Sequence, residues 1–160
     1  MLQDTGMIPN PQAAAQYLRT KVQTATPEQL QMMLFDGALR FGEQAKVALQ
    51  NHKYEDSYNL ICKVQKILAE LSCTLKHDVY PELCKKLAAL YTYAYRQLVD
   101  ATMHHNMTAM EDALNVLRYQ RETWSQLLEQ IGKKKAAAVA TMLDLPSPDS
   151  RMEATISMQG

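Results

Sequence analysis

The chain has 160 residues, 47% of them hydrophobic, which is enough for one domain with a substantial core and flexible ends. Its 17 basic residues balance its 17 acidic residues, so the overall charge favours neither a nucleic-acid partner nor an anionic membrane surface. The longest uncharged apolar run, residues 136–143, is too short to cross a bilayer, and we expect no membrane insertion. Valine and isoleucine are sparse and strand patterns are nearly absent, which predicts an all-α protein.

The cysteines and the N-terminal sequence indicate the compartment. Cys62, Cys73 and Cys84 are an odd number and include no Cys-x-x-Cys pair, so we expect small apolar side chains in a reducing environment. The N-terminal residues lack the basic-then-apolar order of a signal peptide. We therefore expect a cytoplasmic protein.

Residues 1–23 form the predicted N-terminal arm. Gly6, Pro9 and Pro11 interrupt regular structure near its start, and a short alanine run follows. We expect a mobile arm with a short helical turn over residues 13–18 that could lie against the helical domain.

The first long helix is predicted from Pro27 to about residue 50. Thr26 can cap it with its hydroxyl, Pro27 suits the first helical position, and Gln29 can complete a capping box. The apolar positions that predict its buried face are Leu30, Met33, Leu34, Phe41, Ala45 and Ala48. Gly37 lies inside this helix, where it is either simply tolerated or marks the close approach of another backbone.

Three further helices are predicted by apolar residues that recur every three or four positions. They cover about residues 54–76, 81–104 and 108–131. Their predicted inward side chains are Tyr58, Ile61, Val64, Leu68, Leu71 and Leu75, then Leu83, Leu87, Leu90, Ala94, Leu98 and Ala101, then Met110, Ala113, Leu114, Leu117, Trp124, Leu128 and Ile131. Thr108 with Glu111 resembles a second capping box, and Gly132 is a suitable helix end.

Short connections between long helices predict antiparallel neighbours, and hence an up-down four-helix bundle. The bundle domain is predicted over residues 24–132. Residues 133–143 have the composition of a short fifth helix, and residues 144–160 are proline-containing and polar, which predicts a disordered tail.

No pattern for catalysis or cofactor binding is present in the sequence. A di-iron bundle needs Glu-x-x-His pairs that point inward, and there are none. The histidines fall at predicted helix ends or connections: His52, His77, His104 and His105. A Gly-rich phosphate loop and a nucleophile motif are also lacking. We expect no enzymatic activity, no metal and no cofactor.

Apolar and aromatic residues also occur outside the predicted inward faces. These second-face residues are Met32, Phe35, Leu39, Leu60, Ile67, Tyr91, Tyr93 and Tyr95. One interpretation is that they line grooves which another chain fills with its own helices. The other is that they widen or edge the core and keep their polar tips in water. The residues alone leave both interpretations open.

Four segments in a fixed order resemble the FliS family of flagellar export chaperones. They are residues 24–30 (TATPEQL), 33–39 (MLFDGAL), 90–93 (LYTY) and 121–124 (RETW), and they follow Tyr17. The resemblance covers roughly residues 17–131 and implies an antiparallel helical bundle.

The resemblance also implies a function. Such a chaperone binds the C-terminal segment of flagellin in the cytoplasm, prevents premature polymerisation and delivers the subunit to the flagellar type III export apparatus. Other flagellar regulators are further candidate partners, whereas nucleic acid is not expected. The alternative is a regulatory helical adaptor that binds another export or signalling protein.

The resemblance directs the choice of client-binding residues. We expect the client to contact Met32, Phe35, Asp36, Leu39, Leu60, Ile67, Tyr91, Tyr93 and Tyr95. Family members use the N-terminal arm as a cap over the client groove, and here that role falls to Tyr17 and Leu18.

Overall fold

The computed structural model describes residues 10–143, which form five helices and contain no strand. The helices are α1 (Pro11–Thr24), α2 (Pro27–Gln50), α3 (Tyr54–Cys73), α4 (Pro81–His104) and α5 (Met107–Met142). This confirms the all-α prediction. Residues 1–9 of the predicted arm and the predicted disordered tail, residues 144–160, lie outside the described residues. The chain divides into two compact units, Met1–Arg118 and Tyr119–Gly160, whose boundary falls inside α5.

Helix α2 begins as the sequence predicts. The Thr26 hydroxyl accepts a hydrogen bond from the Gln29 backbone N–H at 3.2 Å, and the Gln29 side-chain oxygen accepts one from the Thr26 N–H at 3.0 Å. Pro27 occupies the first turn, where its missing N–H leaves no intrahelical bond unmade. The predicted capping box is confirmed.

Contacts between the start of one helix and the end of another show that successive helices run antiparallel. Ser57 at the start of α3 donates its hydroxyl to the Ala45 carbonyl near the end of α2, at 3.1 Å. Tyr54, at the start of α3, stacks on His105 at the end of α4 with 3.8 Å between ring centroids. Only two residues separate α4 from α5. The antiparallel up-down arrangement of α2, α3, α4 and the start of α5 is therefore confirmed.

An ion-pair cluster joins α2 to the first turns of α5. The Lys46 ammonium lies 2.6 Å from one Glu111 carboxylate oxygen, and the Arg118 guanidinium lies 2.7 Å from the other and also pairs with Glu43. Hydrogen bonding from Lys46 and then from Arg118 lowers the pKa of Glu111. These side chains are partly exposed, so each pair adds at most about 1 kcal/mol and mainly fixes the register of the two helices.

The core of the first unit combines large side chains with alanines. Its fully buried large side chains are Phe35, Ile61, Val64, Leu68, Leu71, Leu98, Met110, Leu114 and Leu117. Ala38, Ala45, Ala94 and Ala113 have no exposed surface and let the helices approach closely. Most of the predicted inward residues of α3, α4 and α5 are thus confirmed.

For two residues, Tyr58 and Leu83, the prediction that the side chain points inward is wrong. Tyr58 is 53% exposed and Leu83 is 55% exposed, while their neighbours Ser57 and Cys84 are buried. Adjacent residues on a helix point about 100° apart, so a shift of one position turns a side chain from the core to solvent. In α3 the shift follows from the hydrogen bond between Ser57 and α2, which draws the serine inward.

Helix α5 starts earlier and ends later than predicted. The Asn106 side-chain oxygen accepts a hydrogen bond from the Ala109 N–H at 3.1 Å, so Asn106 rather than Thr108 caps the helix. Gly132 does not end it, because the following lysines and alanines are strong helix formers and the helix continues to Met142. The predicted short fifth helix over residues 133–143 is therefore the last part of α5.

Helix α1 is longer than the short turn expected over residues 13–18. Asn10 caps it by accepting a hydrogen bond from the Gln12 N–H at 3.1 Å, and Pro11 occupies its first position. The helix continues to Thr24, and none of its side chains is buried.

The close approach of another backbone suggested at Gly37 is not found there, and the tight contact lies at Gly42 and involves a side chain instead. A Cβ atom on Gly37 would lie 3.5 Å from Ile67 Cδ1, which is an ordinary van der Waals contact. A Cβ atom on Gly42 would overlap Leu114 Cδ2. Leu114 is fully buried, so its side chain has little room to move.

The two glycines therefore predict opposite effects of the same substitution. Gly37→Ala should raise the free energy of unfolding by up to about 1 kcal/mol, because alanine favours the helix and meets no clash. Gly42→Ala should lower it by about 1 kcal/mol, because overpacking against Leu114 outweighs the gain in helix propensity. Urea unfolding followed by far-UV circular dichroism measures both changes. Equal stabilisation by the two substitutions would contradict the close packing at Gly42.

Candidate functional site

An apolar groove runs between α3 and α4. It has a volume of about 470 Å³ and is lined by Leu68, Ala69 and Ser72 of α3 and by Tyr91, Thr92, Tyr95, Arg96 and Val99 of α4. Tyr91, Tyr95 and Val99 are spaced one helical turn apart, so they form a continuous wall along α4. The Ser72 hydroxyl donates to the Leu68 carbonyl at 2.8 Å and is satisfied within its own helix. The groove thus presents mainly apolar surface with one cation, Arg96, at its edge.

A second groove lies between the end of α2 and the start of α3. It has a volume of about 450 Å³ and is lined by Gln44, Val47, Ala48, Asn51, Lys53, Asp56, Asn59 and Leu60. Most of these side chains are polar or charged. Earlier along α2, the Phe41 ring makes cation–π contacts with two side chains. Arg40 Cζ lies 4.9 Å and Lys63 Nζ lies 5.1 Å from the ring centroid. This groove offers a more polar surface than the α3/α4 groove.

The structure brings only some of the predicted client-binding residues to these grooves. Tyr91 and Tyr95 line the α3/α4 groove, and Leu60 lines the α2/α3 groove. Met32, Leu39 and Ile67 are half-buried, Asp36 is exposed, and Tyr93 is 44% exposed but lines neither groove. The role of each of these residues in client binding stays a prediction.

Phe35 and Tyr91 do not belong to an exposed second face. Phe35 is 2% exposed and Tyr91 is 3% exposed, so both side chains are part of the core. Phe35 lies on the same helical face as the buried Ala38, Gly42 and Ala45. Tyr91 forms the inner wall of the α3/α4 groove while most of its ring is covered. A charged residue at either position would therefore be buried without a partner and would destabilise the fold.

Sequence reasoning missed several residues that line the α3/α4 groove. Leu68 was assigned to the core alone, and Ala69, Arg96 and Val99 were not singled out. The spacing of Tyr91, Tyr95 and Val99 is the signal that could have identified the α4 wall. The residues contributed by α3 carry no comparable signal, because an alanine and a serine on a helix are compatible with any environment.

The predicted cap residues are exposed. Tyr17 is 70% exposed and Leu18 is 47% exposed on α1, and neither is among the residues that line the two grooves. Val22, one turn further on, is 43% exposed. Helix α1 therefore presents an apolar stripe to solvent.

Within residues 10–143, no group of three or more histidine, cysteine or acidic side chains is arranged to hold a metal ion. His104 instead lies 2.7 Å from Asp100, whose other carboxylate oxygen accepts from the Asn106 amide at 2.7 Å. These bonds lower the pKa of Asp100, with the His104 bond as the larger cause. In the same part of the chain, the helices are too short or too polar to traverse a lipid bilayer.

Burial raises the pKa of Tyr91 from 10.0 to about 12. Between these two values the unfolded chain loses the phenolic proton and the folded chain keeps it, so the free energy of unfolding falls as the pH rises.

The stability difference between the wild-type protein and Tyr91→Phe should therefore change above pH 10, the ordinary pKa of tyrosine. Phenylalanine cannot ionise, so the variant should lose less stability on going towards pH 12 than the wild-type protein does. Urea unfolding at several alkaline pH values measures the difference. Parallel stability curves for the two proteins would contradict the burial of the Tyr91 hydroxyl.

These features define a helical binding protein with an apolar groove beside its core. A family model described as "Flagellar protein FliS" matches residues 10–131. The flagellar secretion chaperone FliS of Bacillus subtilis is 32% identical over 128 residues, which cover 80% of this chain and 93% of the relative. The corresponding protein of Escherichia coli is 29% identical and the match covers 73% of this chain and 88% of the relative. The chain belongs to the FliS family, whose members are chaperones and not enzymes.

A solved structure has the same fold. The crystal structure of a bacterial flagellar chaperone superimposes with a TM-score of 0.61 and 20% sequence identity, and it covers 74% of this chain and 97% of its own. At this identity the likeness supports the fold alone.

Proposed function

We propose that this protein is a cytoplasmic export chaperone that binds the C-terminal segment of flagellin. By covering that segment it prevents premature polymerisation, and it delivers the subunit to the flagellar type III export apparatus. The observation that carries the proposal is the apolar α3/α4 groove in a chain of the FliS family. The flagellar secretion chaperones named among its relatives support the export role.

The α3/α4 groove suits an amphipathic segment of a client. Its wall residues on α4 repeat every helical turn, and a client helix with apolar residues at positions i, i+4 and i+7 has the matching period. Tyr95 is 42% exposed, so part of its ring is available to a client. Arg96 adds a cation at the edge, where a client carboxylate can pair with it.

Binding of this kind would keep the client monomeric by a simple physical effect. A segment that polymerises through its apolar face cannot do so while that face is buried in a groove. The client must order as it binds, and this entropy cost offsets part of the favourable contact energy. The chaperone can therefore use a large contact surface and still release its client at the export apparatus.

Two tyrosines of α4 provide a matched test of the α3/α4 groove. Tyr95 and Tyr93 are almost equally exposed, at 42% and 44%, but only Tyr95 lines the groove. Tyr95→Ala should weaken binding of a flagellin C-terminal peptide about tenfold, because it removes an aromatic contact at a desolvated surface. Tyr93→Ala should change the affinity by less than about twofold. Isothermal titration calorimetry measures both affinities.

Far-UV circular dichroism provides the folding control for this pair, since both variants should keep the wild-type helicity. Equal effects of the two substitutions would move the client surface away from the groove. If the wild-type protein does not bind the peptide at micromolar concentrations, the proposed flagellin client is wrong.

The capping role of the N-terminal arm gives a separate prediction. If Tyr17 and Leu18 compete with the client for a groove, removing residues 1–23 should raise the affinity for the flagellin peptide. The truncation leaves Thr26 and its capping box intact, so α2 should remain folded.

The double substitution of Tyr17 and Leu18 by alanine should reproduce this gain, whereas Arg19→Ala on the same helix should not. Calorimetry with the flagellin peptide measures each affinity. Unchanged or lower affinity after truncation would refute the competition.

A further inference from the structure

Two histidines at one end of the first unit have a left-handed backbone. His52 follows α2 with a φ of 57°, and His105 follows α4 with a φ of 50°. Glycine adopts this conformation freely, whereas a residue with a side chain bears a cost on the order of 1 kcal/mol. The histidine rings therefore occupy positions where glycine would be the less strained choice.

Both histidine rings contact the same residue, Tyr54. His52 Nδ1 lies 2.8 Å from the Tyr54 hydroxyl, and the His105 ring stacks on the Tyr54 ring with 3.8 Å between centroids. His52 thus contacts the Tyr54 hydroxyl, and His105 packs on one face of the Tyr54 ring. The orientation of Tyr54 is thus fixed from two connections between helices.

Tyr54 forms one wall of a cavity of about 300 Å³ between the start of α3 and the end of α4. The lining residues are Leu49, Tyr54, Glu55, Ser57, Tyr58, Ala101, Thr102 and His105. The hydroxyls of Ser57 and Thr102 donate to the Ala45 and Leu98 carbonyls, at 3.1 and 2.9 Å, and are satisfied within the protein. Interaction with the Cys62 thiol raises the pKa of the Tyr58 phenol.

Glu55 is the only acidic residue in this lining, and the ion pairs described within residues 10–143 do not involve it. Tyr54 and Tyr58 are 41% and 53% exposed, so aromatic surface is open beside the carboxylate. A carboxylate next to aromatic rings attracts cations, through ion pairing and through the negative faces of the rings. The cavity is too small for a helix but large enough for one long side chain.

We propose that this cavity binds a single cationic side chain, arginine or lysine, of a partner polypeptide. Its alkyl stem packs on Tyr54 and Tyr58, and its charge pairs with Glu55. The site shares no lining residue with the α3/α4 groove: on α3 the two linings are about ten residues apart, and on α4 the cavity begins at Ala101, two residues after Val99 of the groove. It depends neither on flagellin nor on the apolar groove.

The probe for this site is N-acetyl-arginine methylamide, with N-acetyl-citrulline methylamide as its neutral isostere. Each is titrated into the full-length protein in the same buffer. Amide chemical shifts are followed by ¹H–¹⁵N NMR. The arginine compound should cause saturable shifts at residues 54–58 and 101–105 with a dissociation constant on the order of 10 mM. The citrulline compound should bind about threefold more weakly.

Two matched glutamates distinguish the site from general charge effects. Glu55 and Glu82 both lie in the first turn of a helix and are both exposed, but only Glu55 lines the cavity. Glu55→Gln should weaken the arginine compound about threefold, and Glu82→Gln should leave its affinity unchanged. Tyr58→Leu should also weaken binding, because it removes an aromatic wall.

Three results would overturn the proposal. They are the absence of saturable shifts at the cavity, equal binding of the neutral compound, and an undiminished affinity in Glu55→Gln. The test contains no flagellin, so its failure leaves the proposed chaperone function untouched, and failure of the flagellin experiments leaves this site untouched.

Discussion

The close packing of α2 against α5 at Gly42 is the constraint on which the rest of the first unit depends. Leu114 occupies the space that a side chain at Gly42 would need, and Ala38 and Ala45 continue the same buried stripe. Small residues on one helix and large ones on its neighbour give dense packing without strain. Glu43 pairs with Arg118 beside this contact, which fixes the register without supplying much stability.

This packing explains why a groove is present between α3 and α4. Helix α2 is enclosed by two neighbours, and α3 packs more extensively against α2 than against α4. The residues of α3 that face α4 at the groove include the small Ala69 and Ser72, which leave the bulky α4 tyrosines without a close counterpart. Apolar surface beside Tyr91 and Tyr95 therefore stays accessible, although the core beneath it is complete. Such a surface suits a partner that brings its own side chains.

The fold was largely predictable from the sequence, because helical periodicity and caps are local signals. The capping box at Thr26 and Gln29 and the buried stripe from Ile61 to Leu71 follow from the spacing of a few residues. The wrong predictions at Tyr58 and Leu83 show what these local signals do not contain. At Tyr58 the outcome is decided by the hydrogen bond of its neighbour Ser57 with α2, and a stripe of apolar residues does not reveal such a contact.

The candidate site was less predictable for a related reason. Periodicity indicates which face of a helix is apolar, but not whether that face meets one neighbour, two neighbours or solvent. Phe35 and Tyr95 are both aromatic residues in family motifs or beside them, yet the first lies on the buried face of α2 and the second edges a groove. His52 and His105 show the same limit in the connections, where only the fold reveals that two separate turns hold one tyrosine. A groove such as the one beside Tyr95 forms between two helices, so the sequence of a single helix does not specify it.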